Sequence, residues 1–154
     1  MTDGNTPEIP VPCTDMRFDE LRTMLADTPV VTLVTTRRNG DPVATPIWTM
    51  VIDGVPYLRS AFGPGSWWYR HIRAGRPVAF ALGDGAIAER DRAAALALPR
   101  VPVTVAVVSA EDEVQDRIDA EILSKYAGAP QSSIDAMLSA DARGCTLRVE
   151  AATT

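Results

Sequence analysis

The sequence predicts a mainly β (α+β) fold, a six-stranded antiparallel barrel with flanking helices. Six segments rich in β-branched and apolar residues are separated by turn residues. These segments do not alternate regularly with helices, as they would in a doubly wound parallel sheet. Asn39-Gly40 and Asp53-Gly54 lie between strand segments, and both dipeptides are typical of antiparallel hairpins. A small antiparallel barrel with helices at its ends accommodates this order.

The domain is predicted to span residues 15–152 and to follow a flexible, proline-rich arm at residues 1–14. Three prolines stand among Gly, Asn and Thr in that arm, a composition that opposes a regular helix or a central strand. Asp15 is a suitable cap for a first helix, and Pro29 ends it. One face of that helix is apolar, with Phe18, Leu21 and Leu25.

The strands are predicted at residues 29–36, 43–52, 55–62, 77–82, 101–110 and 143–151. The first three follow one another through short turns and are expected to form an antiparallel meander. A short helix is predicted from Ser66, a good N-cap, to Ala74, with Gly75 after its end. Residues 83–99 are predicted to be a loop with a helical turn.

The last two helices are predicted in the C-terminal third of the chain. Acidic residues from Glu111 onwards favour a helix start there, because they complement the helix dipole. An apolar residue then recurs every fourth position, and Gly128 ends the helix: Val114, Ile118, Ile122 and Tyr126. A further short helix is expected at residues 133–140.

Composition excludes several classes of function. The formal net charge of the 154 residues is −5, which disfavours binding to nucleic acid, because phosphate affinity depends on Lys and Arg. The N-terminus lacks the pattern of a signal peptide, and no apolar run approaches the ~20 residues of a spanning helix. We therefore expect a cytoplasmic protein without a membrane partner. One His and two distant Cys give no metal-binding pattern, so no metal is expected.

The charge is distributed unevenly, and this points to a ligand. Residues 37–76 contain six Arg against two Asp, a net charge of +4 that leaves −9 for the rest of the chain. The same window holds all three Trp, two of the three Tyr and the only His. Arginines supply forked donors for phosphate or carboxylate, and aromatic side chains supply flat walls for a ring. Flavin mononucleotide (FMN) has such an anionic end and such a planar end.

Five segments in order resemble the flavin-binding split β-barrel superfamily, which includes pyridoxamine 5′-phosphate oxidase-like proteins and deazaflavin-dependent oxidoreductases. These segments are Thr32-Leu33-Val34-Thr35-Thr36, the Asn39-Gly40 turn, Thr45-Pro46-Ile47-Trp48, Tyr57-Leu58-Arg59-Ser60, and Trp68-Tyr69-Arg70 followed by residues 73–78. The likeness is strongest over residues 30–82, and the closest branch is an uncharacterised one. The resemblance implies a six-stranded antiparallel split β-barrel and a homodimer with two cofactor sites at its interface.

The resemblance also implies site residues. The segment Thr45, Pro46, Ile47 and Trp48 would run along the cofactor ring. Arg59 and Ser60, with the helix start at Trp68, Tyr69 and Arg70, would hold the phosphate. Trp68 departs from the family pattern, since many members have a Lys there. The cofactor would be FMN or, alternatively, the deazaflavin coenzyme F420, and no catalytic residue is identified because the cofactor carries the chemistry.

The sequence is compatible with three functions. The first is a flavin- or deazaflavin-dependent oxidoreductase that transfers a hydride or electrons to a small organic substrate. The second is a non-catalytic protein that binds a flavin or another planar anion. The third is a structural dimer that has lost its cofactor, with Trp48, Trp67 and Trp68 buried in the interface.

Overall fold

The computed structural model describes residues 10–152, with side chains from residue 17 onwards. These residues form seven strands: β1 Val31–Thr36, β2 Pro42–Ile47, β3 Met50–Ile52, β4 Val55–Arg59, β5 Val78–Asp84, β6 Arg100–Val108 and β7 Thr146–Ala151. They also form seven helices: α1 Pro10–Asp27, α2 Trp67–Arg73, α3 Ala86–Arg90, α4 Arg92–Leu96, α5 Val114–Lys125, α6 Gln131–Met137 and α7 Ala140–Arg143. A 3₁₀ turn covers Gly63–Gly65.

The structure has seven strands where six were predicted, because the predicted strand at 43–52 is divided into two strands. Trp48 and Thr49 interrupt it, so that β2 and β3 lie at opposite edges of a seven-stranded antiparallel sheet. The order across that sheet is β2-β1-β5-β6-β7-β4-β3. The predicted three-stranded meander is therefore wrong: β1 pairs with β2 and β3 with β4, but β2 pairs with neither β3 nor β4.

The short β2–β3 connection requires a strongly curled sheet. Six spacings of about 4.8 Å would separate the edges of a flat seven-stranded sheet by about 29 Å. The three steps from Ile47 to Met50 reach at most about 11 Å. The sheet therefore curls until its edges approach each other, although no hydrogen-bonded ladder within residues 10–152 closes it. An open seven-stranded sheet thus stands in place of the predicted six-stranded split barrel.

Tyr126 and Lys125, at the end of α5, hold the crossover from β2 to β3. The Tyr126 ring stacks on Trp48 with centroids 4.0 Å apart and planes 4° apart. Its hydroxyl accepts a hydrogen bond from the Thr49 N–H at 3.0 Å and donates to the Pro29 carbonyl at 2.6 Å. Lys125 Nζ donates to the Thr49 carbonyl at 2.8 Å, and burial lowers the pKa of Lys125 to about 8.

Two apolar cores lie against the sheet. The larger one joins α1 and α2 to β1, β4, β5, β6 and β7, with Leu33, Phe80 and Leu147 at its centre. The smaller one joins β3 to α5 and α6 and includes Met50 and Ile118. The apolar stripe predicted for the long helix faces this second core, with Ile118, Ile122 and Tyr126 all buried.

The first helix differs from its prediction at its N-terminus. Helix α1 begins at Pro10, so residues 10–14 of the predicted arm are helical, whereas residues 1–9 lie outside the described residues. Proline is tolerated in a first turn, because the N–H groups there have no intrahelical acceptor. None of the helices within residues 10–152 is long and apolar enough to span a membrane.

The predicted loop at 83–99 contains two short helices that pack on β2. Asp91 caps α4, since its carboxylate accepts from the Ala93 N–H at 3.0 Å. Ala88 and Ala95 bury their methyl groups against Ala44. Gly85 lets this segment pass β1 closely, because a Cβ there would lie 2.6 Å from Val30. The small side chains bring the segment, with Arg92, next to β2.

Candidate functional site

A cleft of about 1180 Å³ opens between the β1–β2 turn, β2, the start of α2 and α4. This volume is sufficient for a cofactor-sized molecule. The lining residues are Arg37, Arg38, Asn39, Val43, Thr45, Pro46, Phe62, Gly65, Ser66, Trp67, Trp68, Arg70, His71, Arg76 and Arg92.

Five arginines make the cleft strongly basic: Arg37, Arg38, Arg70, Arg76 and Arg92. No Asp or Glu is among the described residues that line the cleft. None of the five forms an ion pair with a carboxylate in the part of the chain that the structure describes. Their charges are therefore left to solvent and to whatever binds there. This favours an anionic ligand, because forked guanidinium groups match phosphate and carboxylate.

Aromatic side chains form an apolar wall beside these charges. Trp67 and Phe62 are 73% and 83% exposed, which is unusual for side chains of this size. The Arg70 guanidinium lies over the Trp67 ring, 5.6 Å from its centre, in a cation–π arrangement. Trp68 also lines the cleft but is mostly buried, with its ring edge-on to Tyr69 at 6.1 Å.

Helix α2 carries the two tryptophans of this wall, Trp67 and Trp68, and it ends just before Gly75, as predicted from the sequence. Ser66 occupies the N-cap position with an extended backbone, although its hydroxyl makes no capping hydrogen bond. Gly75 adopts a positive φ of 81° and its N–H bonds the Ile72 carbonyl at 2.9 Å, as expected for a residue that follows a helix end. The seven residues of α2 thus place Trp67, Arg70 and His71 on the cleft.

His71 stands at the base of the cleft and is 8% exposed. Its Nδ1 lies 2.9 Å from the Thr35 hydroxyl oxygen. Burial lowers the pKa of His71, and the charges of Arg76, Arg37 and Arg70 lower it further. The imidazole is therefore neutral at pH 7, a polar group without charge among five cations.

Four of the nine predicted site residues line the cleft: Thr45, Pro46, Trp68 and Arg70. Ile47 and Tyr69 instead pack in or against the larger core. Trp48 is stacked on Tyr126 at the β2–β3 crossover. The Ser60 hydroxyl is buried and donates to the Gly63 carbonyl at 2.6 Å, where it stabilises the turn before α2.

Arg59 lies outside the cleft and is 2% exposed. Its Nη1 donates to Asp119 Oδ1 at 2.6 Å and to the Met137 carbonyl at 3.1 Å. Its Nη2 donates to the side chain and the carbonyl of Gln115 at 2.7 and 3.1 Å, and Nε donates to Thr146 Oγ1 at 3.2 Å. The guanidinium is thus fully occupied within the protein and joins β4 to α5, α6 and β7.

Arg92 was missed as a site residue, because the segment at 83–99 has acidic residues and was interpreted as a loop. Its place depends on the packing of Ala88 and Ala95 against β2, a contact that the sequence does not indicate. The run Ala93-Ala94-Ala95 was the available signal for helix α4. Among side chains from residue 17 to 152, no cluster of three His, Cys, Asp or Glu could hold a metal ion.

No protein-family model and no curated protein matches this sequence. Solved structures do match. The conserved hypothetical protein Rv2991 from Mycobacterium tuberculosis is 19% identical, with a TM-score of 0.52 over 99% of this chain and 85% of that protein. HutZ, the heme storage protein from Vibrio cholerae, is 12% identical, with a TM-score of 0.58 over 88% of this chain and 89% of that protein.

A heme binding protein from Mycobacterium smegmatis is 25% identical, with a TM-score of 0.55 over 86% of this chain. This chain covers half of that protein's length. The described part of the chain thus shares the fold of these proteins, and the split-barrel resemblance found in the sequence is confirmed at the level of the fold.

Proposed function

We propose that this protein is an oxidoreductase of the split-barrel type that holds FMN, or the deazaflavin coenzyme F420, in the arginine cleft. The observation that carries the proposal is the set of five arginines without a carboxylate partner among the described residues, beside an exposed Trp. A phosphorylated flavin matches this set, with its anionic end toward the guanidinium groups and its ring toward the aromatic wall.

The residues present fit such a cofactor. Arg70 and Arg37 lie on different elements that line the same cleft, and both lower the pKa of His71, so forked donors for a phosphate stand on more than one side of that residue's surroundings. Thr45 and Pro46 of β2 also line the cleft and offer a further surface for the ring. When bound, the flavin would supply hydride or electron transfer, and the protein would bind the ring, orient it and exclude water. A small organic molecule is the proposed substrate.

We further propose that the protein acts as a homodimer. Phe62 and Trp67 are large, exposed and adjacent to the cleft, and apolar side chains exposed in this way are typical of protein interfaces. A second copy of the chain over these residues would cover the open side of the cleft. Sedimentation of the wild type and of Trp67→Glu tests this: we expect a dimer that the substitution weakens, and a monomeric wild type would contradict it.

A titration of the purified protein tests cofactor binding. We expect FMN to quench the tryptophan fluorescence at micromolar concentration, and riboflavin, which lacks the phosphate, to bind about tenfold more weakly or worse. Coenzyme F420 is titrated in parallel, and rapid reduction of the bound cofactor distinguishes an enzyme from a protein that only binds it. If neither FMN nor coenzyme F420 binds, the proposal is wrong.

Heme is the second candidate ligand, because two proteins of the same fold are a heme storage protein and a heme binding protein. One observation in this chain favours it: the only histidine, a residue type that coordinates heme iron, lines the cleft. The arginines would then pair with the heme propionates. Heme titration with an absorption readout provides the comparison with FMN.

A further inference from the structure

The hydrogen bond between Thr35 and His71 fixes which atoms of the imidazole are free for a ligand. Thr35 lies in β1 and is only 1% exposed, so its hydroxyl is buried. The only hydrogen-bond partner of this hydroxyl among the described residues is His71 Nδ1, at 2.9 Å. Either the hydroxyl donates to Nδ1, or a protonated Nδ1 donates to the hydroxyl oxygen. In a neutral ring, the first arrangement makes Nε2 a protonated hydrogen-bond donor, and the second makes it an acceptor with a free lone pair.

The first arrangement satisfies the buried hydroxyl. A buried hydroxyl proton needs an acceptor, and Nδ1 is the acceptor within reach of Thr35. If Nδ1 carried the proton instead, the Thr35 O–H would have no acceptor among the described residues. The hydroxyl therefore donates, Nδ1 accepts, and the proton of the neutral ring is on Nε2.

The neutral ring is favoured first by the burial of His71, which lowers its pKa, and then by the charges around it. Arg37 from the β1–β2 turn, Arg70 from α2 and Arg76 from the α2–β5 connection all act on His71, and no described carboxylate lines the cleft to offset them. A second proton on the ring would add a sixth cation. It would also deprive the Thr35 hydroxyl of its acceptor.

Nε2 is the atom that remains available. It has no hydrogen-bond partner among the described residues, and it is not among the described side-chain atoms that are buried without a partner. His71 therefore offers the cleft one N–H donor without a net charge, beside arginines that offer charged donors.

We propose that His71 determines which ligand the cleft accepts, by donating a hydrogen bond from Nε2–H to an oxygen of the bound cofactor ring. This inference rests on the proposed function. A flavin or deazaflavin ring has carbonyl oxygens that accept such a bond. Heme iron needs the opposite ring state, with a free lone pair on Nε2 and the proton on Nδ1.

The single histidine makes the ring state directly measurable. In a long-range ¹H–¹⁵N correlation spectrum of the ¹⁵N-labelled protein at pH 7, one imidazole is observed, and we expect the pattern of the neutral Nε2–H form. Thr35→Ser retains the hydroxyl and is expected to keep that form. Thr35→Val removes the donor and is expected to yield a mixture that includes Nδ1–H. A wild-type Nδ1–H or doubly protonated ring overturns the inference.

Binding provides the second measurement. With FMN we expect His71→Leu to weaken binding about tenfold and His71→Gln, whose amide N–H can replace Nε2–H, to weaken it about threefold or less. The Nε2–H resonance of the wild type should move when FMN is added. Equal affinities of the wild type and His71→Leu for FMN overturn the inference and leave the proposed function standing. If the wild type binds neither FMN nor coenzyme F420, both the inference about His71 and the proposed function are overturned.

Discussion

Arg59 and Arg70 come from the same basic window of the sequence, yet the structure uses them in opposite ways. Arg59 is buried, and all of its nitrogens donate to protein acceptors. Arg70 is exposed on α2 and contacts only the Trp67 ring among the described polar and aromatic partners. An arginine surrounded by acceptors holds the fold together, whereas one without them retains its donors for a ligand. Residue type alone does not distinguish the two.

The largest effect on stability is expected for Arg59, because every nitrogen of its guanidinium donates a hydrogen bond within the protein. Arg59→Ala should destabilise the protein by about 3 kcal/mol, because Asp119 and Gln115 lose their donor in a buried site. Urea denaturation gives the free energy of unfolding. Asp119 retains Arg143 at 3.0 Å, which keeps the loss below that of a fully isolated charge. A loss under about 0.5 kcal/mol, the range of ordinary surface substitutions, would show that the Arg59 cluster contributes little.

The next effect concerns binding rather than stability. Arg70→Ala should weaken FMN binding about tenfold, the equivalent of one charge-assisted hydrogen bond, and should change stability by less than about 0.5 kcal/mol. Arg73→Ala is the matched control, since Arg73 is exposed on the same helix but does not line the cleft. Fluorescence titration compares the two variants. If Arg70→Ala and Arg73→Ala bind FMN with equal affinity, the FMN phosphate does not lie at α2.

A smaller effect is expected from Arg92 on α4, a residue that the sequence did not single out as part of the site. Arg92→Ala should weaken FMN binding about threefold, because Arg92 is exposed and solvent screens its charge. Arg90→Ala is the control, on the neighbouring helix α3 and outside the cleft. The same titration at high salt should reduce the difference between the two variants. A difference that does not change with salt would contradict an electrostatic role.

The smallest effect is the pH dependence that follows from the burial of His71 next to unpaired cationic charges. The pKa of His71 lies below its usual 6.5 in the folded protein, so the unfolded chain binds a proton that the folded one resists. Stability should therefore fall as the pH is lowered through 6.5 toward the folded pKa. Arg76→Ala should raise the pKa of His71 and make that decline shallower, whereas Arg73→Ala should affect it less. An NMR titration of His71 measures both variants, and an unchanged pKa in Arg76→Ala contradicts the coupling.

Much of the fold could be predicted, because its signals are local. β-branched runs indicated the strands, the Asp53-Gly54 turn produced a hairpin, and the four-residue spacing of Ile118 and Ile122 gave the buried face of α5. The division at Trp48 and Thr49 was not predicted, since it depends on Tyr126, 77 residues further along the chain from Thr49. Pairing partners are non-local, and periodicity does not specify them.

The sequence by itself determined the α+β class, the positions of most strands and a basic, aromatic window that includes Thr45, Pro46, Trp68 and Arg70. These properties follow from residue type and short-range spacing. Only the tertiary structure decided that Arg59 is enclosed by Gln115, Asp119, Met137 and Thr146, that Arg92 reaches the cleft, and that His71 meets Thr35. Segments distant in the chain decide how deeply a side chain is buried and which hydrogen-bond acceptors surround it. These two properties determine whether an arginine stabilises the fold or remains available to bind a ligand.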